Sequence, residues 1–516
     1  MSAILIIAPA WVGDMVMAQS LFKVLKAQHA GVAIDVLAPG WTLPLLERMP
    51  EVCNAIDMPL GHGDLKLWTR RRLALGLRGR KYDQAIVLPN SLKSALVPYW
   101  ARIPKRTGFV GEMRRWLLND CRRLDKQRLP MMAQRMYVAT TGFTLLAIPF
   151  FILAGNLMNY GGITQRVFNF ARALVGHIRG GLGHVNVVAS MIFSGMSGAA
   201  VADAAGLGVV EMKAMTENGY DKEFSAAITA ASSTIGPVVP PSIAFVIYGS
   251  ITGVSIVKLF MAGFVPGLLM GLALMIAVYF VAKKRGYPKD PPPLFSLIWK
   301  TFTESFLALL MPIIIIGGIL GGIFTPTEAA VVASVYAFVI GCFVYKEFKL
   351  KDVPEIVWES IKQSVRVLFI IATAGFFGWL MIHQSIPEQV ISGLTTITEN
   401  KYVLLIIVVC VLIVLGCFLE GIAVMVITIP IFMKIIDQFQ VDPVQFGVIM
   451  VLCSMIGLLT PPVGMSLYAV ATISNVSIGR LTRELFPYLL GIFIVTLMIT
   501  YIPTVSLWLP NILMPE

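Results

Sequence analysis

Charge is scarce in this sequence: Asp, Glu, Lys and Arg make up 14% of 516 residues, against 57% apolar. A soluble globular domain carries about a quarter charged residues, so this composition points to a membrane protein. Cysteine is scarcer still. The six, at positions 53, 121, 342, 410, 417 and 453, form no CxxC pair, and four of them sit in apolar runs where a thiol packs as a small hydrophobe. Neither a disulfide framework nor a zinc site is indicated. Leader-peptide features are not expected of the first residues either: Met1–Pro9 has no charged flank and no small-residue cleavage site, and is too short to span a bilayer. It reads as a buried strand.

Acidic residues are in deficit in one region only. Residues 1–135 hold 21 Lys/Arg against 10 Asp/Glu, whereas the remainder holds 20 against 19. The basic residues interleave with strand-like and helix-like segments and carry no RNA- or DNA-reading motif, so nucleic acid is not an expected partner. Clusters such as Arg70-Arg71-Arg72, Arg114-Arg115 and Arg122-Arg123 suit two other roles. They can lie against anionic lipid headgroups, or hold the segment ahead of the first spanning helix in the cytoplasm.

What is present falls into two textures. Residues 3–8 read as a parallel strand, followed by the turn Pro9–Asp14, a helix to about Gln28 and a second strand, Val32–Leu37. Gln84–Leu88 is another such strand, ending at Pro89–Ser91, where a ligand loop sits in a doubly wound sheet. Residues 1–130 therefore read as an α/β half-domain, with a junction over 131–140. From Phe143 the chain is nearly all apolar, with expected spans at 142–159, 258–282, 305–324, 326–345, 364–382, 401–419, 421–436, 443–457 and 485–508. Segments 181–215 and 222–253 are also apolar, but too broken by Gly, Pro, Ser and Asp to be simple spans.

Lys283, Lys284, Arg285 and Lys289 follow one apolar run, whereas Arg480 and Arg483 precede another, so the two helices should run in opposite directions. This is an inverted repeat, with a first half over 141–282, connecting helices over 283–360 and a second half over 361–516. Direct matches support it. Ile235-Gly236 with Pro240-Pro241 recurs 221 residues later as Ile456-Gly457 with Pro461-Pro462, and the same displacement carries Gly195 onto Gly416.

Proline removes a backbone donor and clashes with the preceding turn, so each Pro-Pro pair should mark an unwound stretch between two half-helices. At a repeat interface such carbonyls can bind Na⁺ while half-helix N-termini face an anion. Hydroxyls gather there: Ser194, Ser197, Ser232, Ser233, Thr234 and Ser242 in the first half, and Thr460 in the second. Asp203 and Glu420 are the acids nearby. Both suit a transport cavity or, alternatively, helix capping. A structural kink alone is the bland reading of the prolines, weakened by the matched second copy. Asn156, His184 and Asn186 suit interhelical hydrogen bonds.

These residues resemble a known family. Leu146–Gly155, His184–Ser190, Ser194–Gly198 with Ala202–Ala204, Ser232–Ser242 and Leu459–Gly464 are similar to the large permease subunit of tripartite ATP-independent periplasmic (TRAP) transporters, over about 134–516. The resemblance implies a multi-pass all-α protein of the bacterial inner membrane, with inverted repeats, re-entrant hairpins and broken helices. It implies Na⁺-driven import of organic acids, such as C4-dicarboxylates or sialic-acid-like sugars, by an elevator motion. It also implies two partners, a periplasmic solute-binding protein and a small membrane subunit, and no enzyme activity or cofactor beyond Na⁺ as coupling ion. Cations and substrate would lie around Ser194, Gly195, Ser197 and Asp203, at Ser232–Thr234, Gly236, Pro240 and Pro241, at Gly416 and Glu420, and at Gly457, Thr460, Pro461, Pro462 and Gly464.

Residues 1–130 resemble something unrelated, the N-terminal half of an ADP-heptose lipopolysaccharide heptosyltransferase, a Rossmann-like GT-B enzyme. The matching stretches are Pro9–Asp14, Met58–Gly63, Val87–Pro98 and Arg106–Met113. By that resemblance Asp14 is the general base for the acceptor hydroxyl. The nucleotide-sugar domain has no counterpart in this sequence, so Asp14 is expected to be vestigial and this region a partial, cytoplasmic GT-B domain. The permease resemblance likewise begins after the one or two spanning helices that normally precede Ala133–Met136. Residual heptosyl transfer and a fusion without function stay open as alternatives.

Overall fold

Short β-branched runs between Gly- and Pro-containing turns become strands, and long Leu/Ile/Val-rich runs become helices. The computed structural model describes residues 3–514 except Ala30, 61–63, Asn90, Gly111, Met113, 123–127, Ala199 and Pro293, and except the side chains of Arg128, Leu129, Met196, Ser197, Val201, Ala202, Ala205 and Ile397. The chain divides into two units, Met1–Met132 and Ala133–Glu516.

The first unit is a six-stranded sheet in the order β3-β2-β1-β4-β5-β6, every neighbouring pair parallel. Its strands are β1 (Ala3–Ile7), β2 (Ala33–Ala38), β3 (Asn54–Asp57), β4 (Gln84–Val87), β5 (Lys105–Phe109) and β6 (Asp120–Arg122), interleaved with helices α1 (Val12–Gln28), α2 (Leu43–Leu46), α3 (Leu67–Leu77) and α4 (Leu92–Trp100). The second strand sits one residue later than the sequence suggests. Central β1 is apolar throughout because both faces are covered. Ile4 and Ile6 pack with Met15 and Phe22 of α1, and Leu5 and Ile7 with Ala74 and Leu77 of α3 and Ala95 of α4. Successive connections run outward in opposite directions from β1 and β4, which makes the gap between these strands the switch point where doubly wound sheets bind ligands.

Helix α5 (Arg128–Thr140) carries the chain onward. The second unit then contains α6 (Ala147–Tyr160), α7 (Ile163–Val175), α8 (Gly181–Ser197), α9 (Ala200–Ala205), α10 (Leu207–Glu217), α11 (Lys222–Ser233), α12 (Ile243–Thr252) and α13 (Ile256–Arg285). Helices α14 (Phe295–Leu320), α15 (Pro326–Val339), α16 (Val353–His383) and α17 (Ile386–Ile397) follow. The last are α18 (Lys401–Phe418), α19 (Gly421–Gln438), α20 (Pro443–Leu458), α21 (Met465–Ser474), α22 (Ile478–Tyr501) and α23 (Pro503–Leu513).

Among the described residues eight helices are long and apolar enough to cross a membrane: α6 with the turn before it, α13, α14, α15, α16, α18, α19 and α22. The ninth expected span, 443–457, is corrected. It is the 16-residue α20, with every residue from Val444 to Leu458 buried, so its apolar character comes from protein on all sides rather than from lipid. Helices α14, α16 and α22 start earlier than expected, because their opening turns carry charged residues (Lys300 and Glu304, Glu355 and Glu359, Arg480 and Arg483) while the backbone is already helical. Helix α22 stops at Tyr501, and Pro503 opens α23.

The outgoing end of α13 meets the incoming end of α22. Arg285 pairs with Glu484 at 2.7 Å, and a methyl group built on Gly491 of α22 would lie 3.4 Å from Ala273 of α13. The helices that close the two halves are therefore antiparallel.

Candidate functional site

The first break separates α11 from α12. Tight turns take the chain from Thr234 to Val239, with Gly236 N–H donating to Ser233 O at 3.2 Å and Val239 N–H to Ile235 O at 3.0 Å. Then comes a cis Pro240-Pro241 bond. Ser242 restarts the helix: its hydroxyl accepts from Phe245 N–H at 3.3 Å and donates to Pro237 O at 2.5 Å. Everything from Phe224 to Gly249 is buried.

Three hydroxyls precede the break. Ser233 and Thr234 donate to the carbonyls of Ala230 (2.9 Å) and Ala231 (2.6 Å), which spends the proton and leaves oxygen lone pairs free to accept. Ser232 donates instead to Asn186 Oδ1 at 2.6 Å, and Asn186 Nδ2 donates to Thr229 Oγ1 at 2.8 Å. Helix α8 is thereby tied to α11.

The end of α8 comes to the same place. Ser194 donates to Ser190 O at 2.5 Å. A methyl group on Gly195 would lie 3.7 Å from Pro240 O, and one on Gly198 2.8 Å from Pro241 O. Gly198 also has φ +64°, a conformation that suits glycine. Asp203, in the first turn of α9, is buried, and a methyl group on Gly236 would fall 2.5 Å from its Oδ2. Ser194, Gly195, Asp203, Ser232, Ser233, Thr234, Gly236, Pro240 and Pro241 thus form one cluster; the side chain of Ser197 lies outside the described residues.

The second break lies between α20 and α21. Here backbone does the closing. A methyl group on Gly457 would lie 2.5 Å from Gly416 Cα, so α20 and α18 touch through bare glycine. Val463 N–H donates to Cys417 O at 3.1 Å, Gly464 N–H reaches the same oxygen at 3.4 Å, and Thr460 Oγ1 donates to Ile456 O at 2.7 Å. Pro461-Pro462 is again cis, and Pro461, Pro462 and Val463 are exposed. The first turn of α21 has no side-chain cap. Glu420 accepts from Ala423 N–H at 3.2 Å as the N-cap of α19, which is the capping alternative for that residue. The halves interlock, α12 packing on α19 and α20, and α21 on α9 and α11.

Of the other polar residues, Asn156 donates to Ser360 of α16 at 2.8 Å, an interhelical bond like that of Asn186. His184 is corrected: it is buried, and among the described residues neither ring nitrogen makes an interhelical hydrogen bond. Glu211 of α10 went unread in the sequence, yet it is buried, its Oε1 has no hydrogen-bond partner among the described residues, and Asp203 acts on it electrostatically. Its spacing between Gly208 and Met215, on one helical face toward α8 and α11, is the signal that marks it.

In the first unit, Asp14 is exposed in the opening turn of α1. It lines a cavity of about 1050 Å³ at the β1/β4 switch point, along with Trp11, Arg70, Lys93, Ser94 and Glu112. Glu112 Oε2 accepts from Leu92 N–H at 2.8 Å, which holds the start of α4. Arg114 is buried, donates to Phe109 O and Pro89 O, and is held below its ordinary pKa by burial. It ties the Leu88–Ser94 loop to β5.

Residues 104–505 match the model of the tripartite ATP-independent periplasmic transporter, DctM component; the start of that range, 104–132, lies in the first unit. The sialic acid TRAP transporter permease protein SiaT of Haemophilus influenzae is 45% identical over 74% of this chain, which spans 62% of SiaT. The large permease protein SiaM of Vibrio cholerae is 45% identical over 74% of this chain and 89% of its own length. The C4-dicarboxylate large permease protein DctM of Pseudomonas aeruginosa is 39% identical over 74% of this chain and 89% of its own. In fold, 75% of the chain and 89% of the Alcanivorax borkumensis YdaH transporter superpose with TM-score 0.54 at 14% identity. E. coli ADP-heptose lipopolysaccharide heptosyltransferase II matches 25% of this chain and 36% of its own, at 55% identity and TM-score 0.23. With the family model covering most of its length, and large permeases 39–45% identical over 89% of their own length, this chain belongs to the TRAP transporter large permease (DctM) family, whose members are transporters and not enzymes.

Proposed function

We propose that the second unit imports an organic-acid anion across the bacterial inner membrane by Na⁺ symport, taking it from a periplasmic solute-binding protein and working beside a small membrane subunit. The observation that carries this is the pair of helix breaks, 221 residues apart, each joining two half-helices within oppositely oriented halves. Sodium needs several oxygen ligands and no fixed charge, and unwound backbone supplies them. In this reading Na⁺ is cargo. One ion lies among the Ser194–Asp203 and Ser232–Ser242 segments, where hydroxyl lone pairs and turn carbonyls converge, and a second lies among Gly416, Glu420, Gly457 and Thr460–Gly464. The uncapped N-terminus of α21 faces the anion, because its N–H groups and dipole attract negative charge.

The named relatives carry sialic acid or C4-dicarboxylates, all carboxylates, with the sialic acid proteins the more similar at 45% against 39% identity. A sialic-acid-like sugar acid is accordingly the first substrate to test. An elevator displacement of the segments bearing both breaks would carry the site across. The first unit stays in the cytoplasm and performs no glycosyl transfer: all residues lining the Asp14 cavity come from that unit, and a GT-B enzyme encloses its donor between two domains.

Proteoliposomes containing this chain, the small subunit and the binding protein, loaded with an inward Na⁺ gradient, should accumulate labelled sialic acid or succinate. Uptake that persists without Na⁺ or without the binding protein would overturn the reading. Heptose transfer from an ADP-sugar by the same preparation would overturn the assignment of the first unit.

A further inference from the structure

Helix α3 has two faces of opposite character. Inward, Arg70, Ala74 and Leu77 are buried, and the Arg70 guanidinium is used up on the carbonyls of Asp64, Leu65 and Lys93. Outward, one stripe at helical spacing holds Leu67, Trp68, Arg71, Arg72 and Leu75, all exposed, with Trp68 79% exposed. Leu65, just before the helix, is exposed as well. Burying the arginine that pairs with backbone and presenting tryptophan and leucine to the outside reverses the arrangement a solvated helix adopts.

Among the described residues no acidic side chain neutralises the charges on this stripe. Arg71 lies over the Trp68 ring at 5.8 Å, and among the described residues neither Arg71 nor Arg72 has an ion pair or a hydrogen bond. Nearby Lys66 is paired with Asp64 and Arg78 with Trp100 O, so the two free guanidinium groups sit within the apolar residues. Tryptophan favours the headgroup level of a bilayer, leucine the acyl boundary just below it, and arginine the anionic phosphates. The chain also supplies proximity, since ten residues separate Met132, the end of the first unit, from Phe143, where the first span begins. A tether that short keeps the unit at high effective concentration near the lipid.

We propose that the Leu67–Leu75 stripe of α3 is a docking surface for anionic phospholipid, seating the first unit on a membrane face. A polynucleotide is the competing polyanion. It asks for basic residues along a groove, whereas here leucine and tryptophan take three of the five stripe positions.

The test uses the full chain in nanodiscs, read by amide hydrogen exchange of residues 65–77. Exchange should slow in discs rich in phosphatidylglycerol relative to pure phosphatidylcholine, and return to the faster rate in high salt. Arg71→Glu with Arg72→Glu should abolish the slowing, as neutralising a single basic residue near such a surface weakens attachment about fivefold. Protection of strands β1 and β4 reports whether that variant still folds; if it does not, the wild-type comparison between lipids and its salt dependence decides alone. Equal exchange in both lipids, with the strands protected, overturns the proposal. Slowing only on addition of single-stranded RNA or duplex DNA overturns it in favour of a nucleic-acid surface.

Discussion

Pro240 and Pro241 are buried, while Pro461, Pro462 and Val463, at matching positions 221 residues on, are exposed, and the residues around the two breaks differ in the same sense. Ser242 caps α12, whereas its counterpart Val463 has no oxygen to cap with and α21 begins without one. Ser232 is held by Asn186; at the corresponding positions stand Cys453 and Ile407, which cannot reproduce that bond. What the halves share is glycine and proline, the residues that dictate a backbone break. What they do not share is side-chain chemistry, which makes the first break an ordered, hydroxyl-lined interior and the second an open backbone loop. On the proposed reading each break holds an Na⁺, and the second alone also offers a helix start without a side-chain cap.

The comparison is broken most severely at Gly457. Gly457→Ala drives a methyl group to 2.5 Å from the backbone of Gly416, which cannot rotate away, so it should cost about 3 kcal/mol. This would be read as a large fall in thermal midpoint of the detergent-solubilised protein. Gly236→Ala meets a carboxylate that can turn aside, so its loss of stability should be smaller while Na⁺-driven uptake falls. Asn186→Leu comes next: it leaves the Ser232 and Thr229 hydroxyls without their partner in a buried setting, for a loss of about 1–3 kcal/mol. Ser242→Ala should remove a cap worth about 1 kcal/mol, whereas Val463→Ala, exposed and capping nothing, should stay within about 0.5 kcal/mol of wild type. Small as well is Arg285→Ala, which removes the part-exposed pair with Glu484 at the α13/α22 ends and should cost under about 1 kcal/mol. Unfolding followed by tryptophan fluorescence ranks all six on one scale.

The breaks are legible in the sequence because Gly and Pro-Pro act locally, whatever surrounds them. So are most spans, since length and hydropathy are local too. Helix α20 is not: composition reports that its residues avoid water, but lipid and protein interior satisfy that equally, and only packing shows that no side of it reaches lipid. The bond from Ser232 to Asn186 joins residues 46 apart, and the electrostatic neighbourhood of Glu211 and Asp203 depends on how α9 and α10 fold back. Glu420 read as either a cavity acid or a cap, and only the Ala423 N–H contact shows the cap. In the first unit the βαβ pattern and the Pro89–Ser91 loop are visible beforehand, whereas the outward stripe of α3 emerges only once Arg70 is seen to point inward.

The most direct measurement of the cation sites is amide hydrogen exchange at both breaks in nanodiscs, comparing Na⁺ with K⁺ at equal ionic strength. Bound Na⁺ should slow exchange of the Thr460, Val463 and Gly464 amides, which flank or lie in the exposed Pro461–Val463 turn, and change 234–242 little, because that segment is already buried. Exchange at 459–464 that is identical in the two salts would contradict the account.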